Sequence, residues 1–517
     1  MSLEQGSPEA SPSEGSGKTG AARMPPQPHT DAAHSEGGIF SILSQYALMQ
    51  VILAATGLVR NKVVAYRLGP TAFGELTQIG TVLSVVGSVV CFGMAVSLSR
   101  NVAVARSPEE RGDHLLNANA IVLALSAVAV VSSLALLATG DLLRLAALKD
   151  DPVTVFTALL FILALPIGAL QNNYLSFLQG ILDVRGVAVQ RSTAVLLATV
   201  ISVPLVWFFG FVGAAIQYFL ITLFVSVLLG WRCRALGYSP LGVRLERRTA
   251  GYLATFGIMS MASGFAQGVS DTAVRTALIE AAGAGANGLL QAPYTLATVV
   301  KTVVLASIGS ISLATIASKS DSAAISASVD RLLNVVIPIG ASALGLLGLL
   351  AVPAMTVLYS RDFVSAAAYF PYVLTADILM VFVWVIGAPL LSRGDRVLWL
   401  VLDLVFAATR WGVAALLVHR FGAVAVLVGL VTGVSLHLAL NLVVYRFRCG
   451  LQLSGKHLVR LVGGIAVVVG LSVAGHRGSG SPVVMVAAAA VWAAYSAYYA
   501  RQSGLLEGLR NRFKVQT

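Results

Sequence analysis

Charge is scarce in this chain: Asp, Glu, Lys and Arg together supply 11% of its 517 residues. A soluble domain is about one-quarter charged, so a surface wetted all round is excluded and much of the outside must face lipid. Cysteine is nearly missing. Cys91, Cys233 and Cys449 lie far apart in sequence, which rules out a disulfide framework and offers no metal-ligand spacing. Histidine is sparse too: His114, His419, His457 and His476 fall in or near loops, and His437 stands alone in an apolar segment. No His–carboxylate cluster suits a metal, no nucleophile has a placed base, and nothing calls for a cofactor. Residues 1–37 lack apolar periodicity altogether. Gly, Ser, Pro and Glu dominate there, so the stretch cannot bury enough surface to offset its ordering entropy and reads as a disordered tail. It also lacks the basic start and apolar core of a signal peptide. Its "GSGKT", Gly15 to Thr19, imitates a phosphate loop, but Pro12 stands where the leading glycine belongs and no strand precedes it.

What is abundant is apolar sequence: 57% of the chain is hydrophobic and the mean hydropathy is +0.83. Apolar segments of about 20 residues, each long enough to cross a bilayer core, recur from residue 38 to residue 500. They read as fourteen spans, from 39–60 and 76–98 at one end to 458–475 and 483–500 at the other. The fifth and sixth, 190–209 and 211–230, are joined only by the tight turn "FFGFVG". The expected fold is all-α and polytopic, with short loops. A net charge of +12 would suggest nucleic acid in a soluble protein; here it is a topological signal. Of 35 Lys and Arg, 24 fall on the side of the two termini, 8 on the other and 3 within spans. Basic residues collect in cytoplasmic loops, so both termini are expected inside and no nucleic acid is implied.

The chain also repeats itself. A shift of 214 residues sets "LGPTAFGELTQ" (68–78) over "AGAGANGLLQA" (282–292), with Gly69 on Gly283 and Gly74 on Gly288. The same shift carries the first span onto the seventh and the third onto the ninth. The expected organisation is therefore a tail (1–37), a six-helix lobe (38–231), a basic connector (232–250), a second six-helix lobe (251–446), and two extra spans with a tail (447–517). Internal repeats in a polytopic protein point to a transporter, with its substrate site between the repeats.

The turn Arg67-Leu68-Gly69-Pro70, the following Phe73-Gly74, the exit Leu98-Ser99-Arg100 and the stretch "FLQGILDVRG" (177–186) together resemble the Wzx-type oligosaccharide flippases. These belong to the superfamily that also holds multidrug-and-toxin extruders and the lipid II flippase. The resemblance implies a V-shaped pair of lobes around a central cavity in a bacterial inner membrane. It also implies alternating access that moves undecaprenyl-diphosphate-linked glycans from the inner to the outer leaflet. Implied partners are that lipid-linked substrate, membrane lipids, and a polymerase and glycosyltransferases of the same pathway.

Ionisable side chains at membrane depth cost several kcal/mol unless paired or hydrated. Arg60 falls near Arg275 under the repeat, so the two are expected to face each other across a central cleft, where guanidinium forks suit a diphosphate. The alternative for Arg60, and more so for Lys62 and Arg67, is snorkelling to the headgroups. Asp271 and Arg275, four apart, can pair on one helix face. Lys301 lies mid-span with no short snorkelling path, and Asp377 is mid-span too. Asp403 and Arg410 share a face of the eleventh span. Arg60, Arg275, Lys301 and Arg410 are thus candidate diphosphate ligands. Asp271, Asp377 and Asp403 are candidates for ion coupling, and Gly69, Pro70 and Gly74 for a structural turn. Two other functions compete. A multidrug exporter of cationic drugs needs a net acidic cavity. A membrane enzyme acting on lipid-linked sugars normally carries a large outer loop, and the longest outside loop here is only about a dozen residues.

Overall fold

The computed structural model describes residues 36–317, 322–392, 395–451, 453–478 and 480–502. The expected disordered tail lies outside these residues except for Glu36 and Gly37, which open the first helix. Lipid offers the backbone no hydrogen-bond partners, so the spans satisfy their amides internally as helices. Fourteen α-helices result: α1 (Glu36–Cys91), α2 (Met94–Val104), α3 (Pro108–Ala138), α4 (Asp141–Leu145), α5 (Pro152–Gly180), α6 (Val184–Ala235), α7 (Arg247–Ala317), α8 (Ser322–Leu349), α9 (Ala351–Leu358), α10 (Phe370–Ser392), α11 (Arg396–Phe421), α12 (Ala423–Phe447), α13 (Gly455–Arg477) and α14 (Pro482–Gln502). No strand occurs among the described residues.

Helices α1, α6 and α7 are each two rods, broken at Gly69 (φ 72°), Gly210 (φ 56°) and Gly283 (φ 80°). Only glycine adopts such left-handed angles without strain. Divided there, the long helices account for fourteen rods at the positions of the fourteen expected spans, and the protein is a multi-pass membrane protein. Helices α1–α6 form one lobe and α7–α12 the other. The last two helices pack outside the second lobe against α8, where Trp492 Nε1 donates to Ser342 O at 2.9 Å and Gly475 lies against Gly348.

The repeat is visible in the backbone. Gly69 and Gly283 share one kink, with ψ of −179° and 165°. A second matched pair, Gly210 (φ 56°, ψ −122°) and Gly422 (φ 54°, ψ −130°), turns the chain between the fifth and sixth rods of each lobe. Side chains repeat too. Asp183 precedes α6 and pairs with Arg232 at 2.6 Å; Asp395 precedes α11 and pairs with Arg448 at 3.4 Å.

Asp183 has two tasks, because its side chain also accepts from Gly186 N at the start of α6. Asparagine caps a helix about as well as aspartate but carries no charge. Asp183→Asn is therefore expected to lower the unfolding free energy by less than about 1 kcal/mol, as for a partly exposed pair. Asp183→Ala, which also removes the cap, should cost about 1 kcal/mol more. Thermal unfolding of the purified variants separates the two contributions.

The lobes meet along the second rod of α1, continued by α2, and the first rod of α7. Glycines let the backbones close in: Gly268 rests on Val85, Gly264 on Ser88 and Gly257 on Phe92. Ser97 Oγ donates to Leu253 O at 2.8 Å at one end, and Gln78 Nε2 donates to Thr276 Oγ1 at 2.9 Å toward the other. At the kinks the contact is reciprocal. A Cβ on Gly74 would stand 2.0 Å from Ala284 O, and one on Gly288 would stand 1.9 Å from Pro70 O. Asn287 Nδ2 crosses the same junction to Gly74 O at 2.9 Å. The kink itself falls at Gly69, and Pro70 and Gly74 in the rod that follows pack on Gly288 and Ala284 of the other lobe.

Candidate functional site: a charged cavity in the second lobe

Three cations and three carboxylates meet inside the second lobe. Two adjoining cavities of about 350 and 370 Å³ share Gln267, Lys301, Met380 and Phe406. The first is lined further by Asp271, Arg275, Tyr294, Asp377 and Arg410, the second by Ser263, Trp399, Asp403 and His437. The first rod of α7 supplies Ser263, Gln267, Asp271 and Arg275, at successive spacings of four residues that stack them on one face. Tyr294 and Lys301 come from its second rod, Asp377 from α10, Asp403 and Arg410 from α11, and His437 from α12.

Each charge has a partner. Asp271 lies between two arginines: Arg275 Nε is 3.3 Å from its Oδ2, and Arg410 Nη2 donates to its Oδ1. Arg275 is held further by Asn287 Oδ1 at 2.9 Å and Gln291 Oε1 at 2.7 Å, with its guanidinium 6.0 Å from the Tyr294 ring centroid. Lys301 Nζ binds Asp377 Oδ1 at 2.6 Å. Asp403 accepts from Ser263 Oγ, and His437 Nε2 lies 3.9 Å from its other oxygen. The network is nonetheless unfinished. Tyr294 Oη, Asp377 Oδ2, Arg410 Nε and His437 Nδ1 are buried without a hydrogen-bond partner, although buried polar atoms are nearly always bonded. These atoms, three lining the first cavity and one the second, are what internal water or a polar guest would satisfy.

The profile of the family described as "Polysaccharide biosynthesis protein" matches residues 43–318, more than half of the chain. The chain belongs to this family. Among solved structures, the chain is similar to the lipid II flippase MurJ in an inward closed conformation. The identity is 12%, 90% of this chain and 99% of that one are covered, and the TM-score is 0.69. It is also similar to an inward-facing multidrug resistance MATE family transporter of the MOP superfamily, at 17% identity, 78% and 98% coverage and a TM-score of 0.62. A MOP superfamily transporter from Pyrococcus furiosus matches at 15% identity, 79% and 95% coverage and a TM-score of 0.59. At such identities the likeness shows the fold alone. A search of curated proteins finds no match.

Of the residues singled out from sequence, Arg275, Lys301, Arg410, Asp271, Asp377 and Asp403 come together around these cavities. Arg60 does not join them. It was expected to face Arg275 across the central cleft. Instead each arginine turns into its own lobe, and Arg60 Nη1 donates to Thr199 Oγ1 on α6 at 2.8 Å. In the register of the matched kinks at Gly69 and Gly283, Arg60 corresponds to Val274 and not to Arg275, and a step of one residue turns a helical side chain by about 100°. Lys62 and Arg67 are exposed, and Arg67 Nε donates to Trp207 O at 3.2 Å, just before the Gly210 turn. Reading by charge alone missed Ser263, Gln267, Asn287, Gln291 and Tyr294. Only the register of Gln267 with Asp271, four residues on, carried a signal in sequence.

Proposed function

We propose that this protein is a flippase that moves an undecaprenyl-diphosphate-linked oligosaccharide between membrane leaflets by alternating access. We place it in a bacterial inner membrane with both termini cytoplasmic, supplied by glycosyltransferases and feeding a polymerase, and not itself an enzyme. Family membership and the two-lobed fold support transport. The observation that carries the substrate class is the cavity: Arg275, Lys301 and Arg410 stand at membrane depth, each held by a carboxylate that another anion can replace.

The chemistry is a partner exchange. A diphosphate offers planar Arg forks better-matched oxygens than one shared carboxylate does, so it draws Arg275 and Arg410 away from Asp271, and Lys301 from Asp377. A buried carboxylate without its cation is costly and takes up a proton or a metal cation. Anion binding at the cations is thereby linked to cation uptake at Asp271 or Asp377, and release of one favours release of the other; Asp403, held by Ser263 and His437, is a separate candidate for ion coupling. An exporter of cationic drugs is less well served, because three cations balance three carboxylates and the cavity is not net acidic. Arg60, tied to Thr199, is assigned to helix packing in this scheme.

Lys301 offers the test. Lys301→Met leaves Asp377 buried and uncompensated, whereas Lys301→Met with Asp377→Asn removes both charges. In vesicles carrying a lipid-linked glycan, both variants are expected to flip at least tenfold more slowly than the parent, while the double variant regains its thermal stability. A double variant that flips at the parental rate overturns the role given to Lys301. If the parent protein moves no lipid-linked glycan, the flippase reading fails.

A further inference from the structure

The segment joining the lobes, between Ala235 and Arg247, is not a loose linker. We propose that its residues 238–246 form an interfacial strap that binds anionic phospholipid headgroups along this edge of the bundle.

The strap crosses the ends of α3 and α5 as irregular chain with a bend at Pro240 and Leu241, and its residues differ in what they meet. At even positions the backbone is tied down. Pro240 O accepts from Asn119 Nδ2 and from Tyr174 Oη, both at 2.9 Å. Gly242 O accepts from Asn119 Nδ2 at 3.3 Å. Arg244 N donates to Leu116 O at 3.3 Å, and Glu246 N donates to Asn117 Oδ1 at 2.6 Å. Asn117 and Asn119 are fully buried, and Asn173 Nδ2 steadies Asn119 Oδ1 at 3.1 Å. Three apolar side chains at odd positions are exposed beside Arg244 and Glu246. These are Leu241, Val243 and Leu245, exposed by 76, 59 and 70%.

Three exposed apolar side chains on an otherwise polar segment need an apolar medium, and depth says which. The strap's partners run from Asp113, which Arg244 binds at 2.8 Å, to Asn119, six residues on. That is about 9 Å along the helix axis, from the charged rim into the apolar run of α3. It matches the depth of about 5–10 Å at which interfacial segments bury their apolar face. A backbone near that depth needs polar partners, and Asn119, Tyr174, Leu116 O and Asn117 supply them to Pro240, Gly242, Arg244 and Glu246. The charge agrees: Arg234, Arg247 and Arg248 flank the strap and are exposed, and Trp231, 58% exposed at the end of α6, is a residue type that favours the headgroup level.

The inference is independent of what the protein transports, and so is its test. A nitroxide on Val243→Cys, in full-length protein in vesicles of three parts phosphatidylethanolamine to one of phosphatidylglycerol, reports depth by power saturation. The native cysteines are buried or half-buried, and the unsubstituted chain supplies their background. The label is expected to be more accessible to oxygen than to a water-soluble nickel chelate. Native mass spectrometry of the parent and of Arg247→Gln with Arg248→Gln should show phosphatidylglycerol retention falling about fivefold per arginine, equivalent to roughly 1 kcal/mol each. A label that reads as water-exposed, as a cytosolic or protein-docking face would give, overturns the strap. Phosphatidylglycerol retention unchanged in the double variant overturns it equally.

Discussion

Asp271→Asn is expected to destabilise the protein by about 3–5 kcal/mol, the cost of breaking a buried ion pair from one side. Asp271 is the shared counter-ion of Arg275 and Arg410, so its loss leaves two guanidiniums inside the second lobe with no carboxylate. Arg275 keeps its bonds to Asn287 and Gln291, but amide oxygens are dipoles and do not neutralise a cation. Arg410 fares worse, since its Nε already lacks a partner. Arg410→Met should cost distinctly less, because the pair between Asp271 and Arg275 survives it. Thermal unfolding in detergent and in nanodiscs reads this order. Equal losses for the two variants would mean that Asp271 serves one arginine only.

Gly74→Ala and Gly288→Ala are the second pair of large effects. Each introduces a Cβ at about van der Waals overlap with a backbone carbonyl of the opposite lobe, at 2.0 Å for Gly74 and 1.9 Å for Gly288. Backbone oxygens within helices cannot rotate aside as a side chain can, so the junction itself must open. Overpacking of this kind costs roughly 1–3 kcal/mol. The decisive readout is the distance between labels on the two lobes at this end, measured by electron–electron double resonance, which should lengthen in both variants. Gly470→Ala, where a Cβ meets nothing within 4 Å, is the control and should leave stability and distance unchanged. Because Gly74 and Gly288 face each other's kinks, each single change should move the junction by a similar amount.

Much of the fold was legible because lipid imposes one rule on every span. A run of about 20 apolar residues in a medium without hydrogen-bond partners must be a helix, so the fourteen rods could be placed from composition. The Gly69 and Gly283 match was legible for a related reason: a left-handed turn tolerates almost no other residue. The Gly210 and Gly422 match follows the same logic but sits at a spacing of 212 residues rather than 214, and a search at one fixed shift passes over it. Asn117 and Asn119 gave no sign of their task in sequence, since nothing local to them says that a segment from over 120 residues away needs their amides.

By itself, then, the sequence determined the membrane, the helices, the doubling of the lobes and the identity of the ionisable residues that had to be buried. These follow from transfer free energies and backbone geometry, which are local properties. Which charges neutralise which was decided only by the tertiary structure. Arg410 lies 139 residues from Asp271, and Lys301 lies 76 from Asp377. A buried ion takes its partner from whichever helix packing brings within about 3 Å. The repeat predicted that Arg60 and Arg275 would act as a pair. Packing gave one to Thr199 and the other to Asp271, because the register fixed by the Gly69 and Gly283 kinks sets Arg60 on Val274, and one residue of offset turns a helical side chain by about 100°.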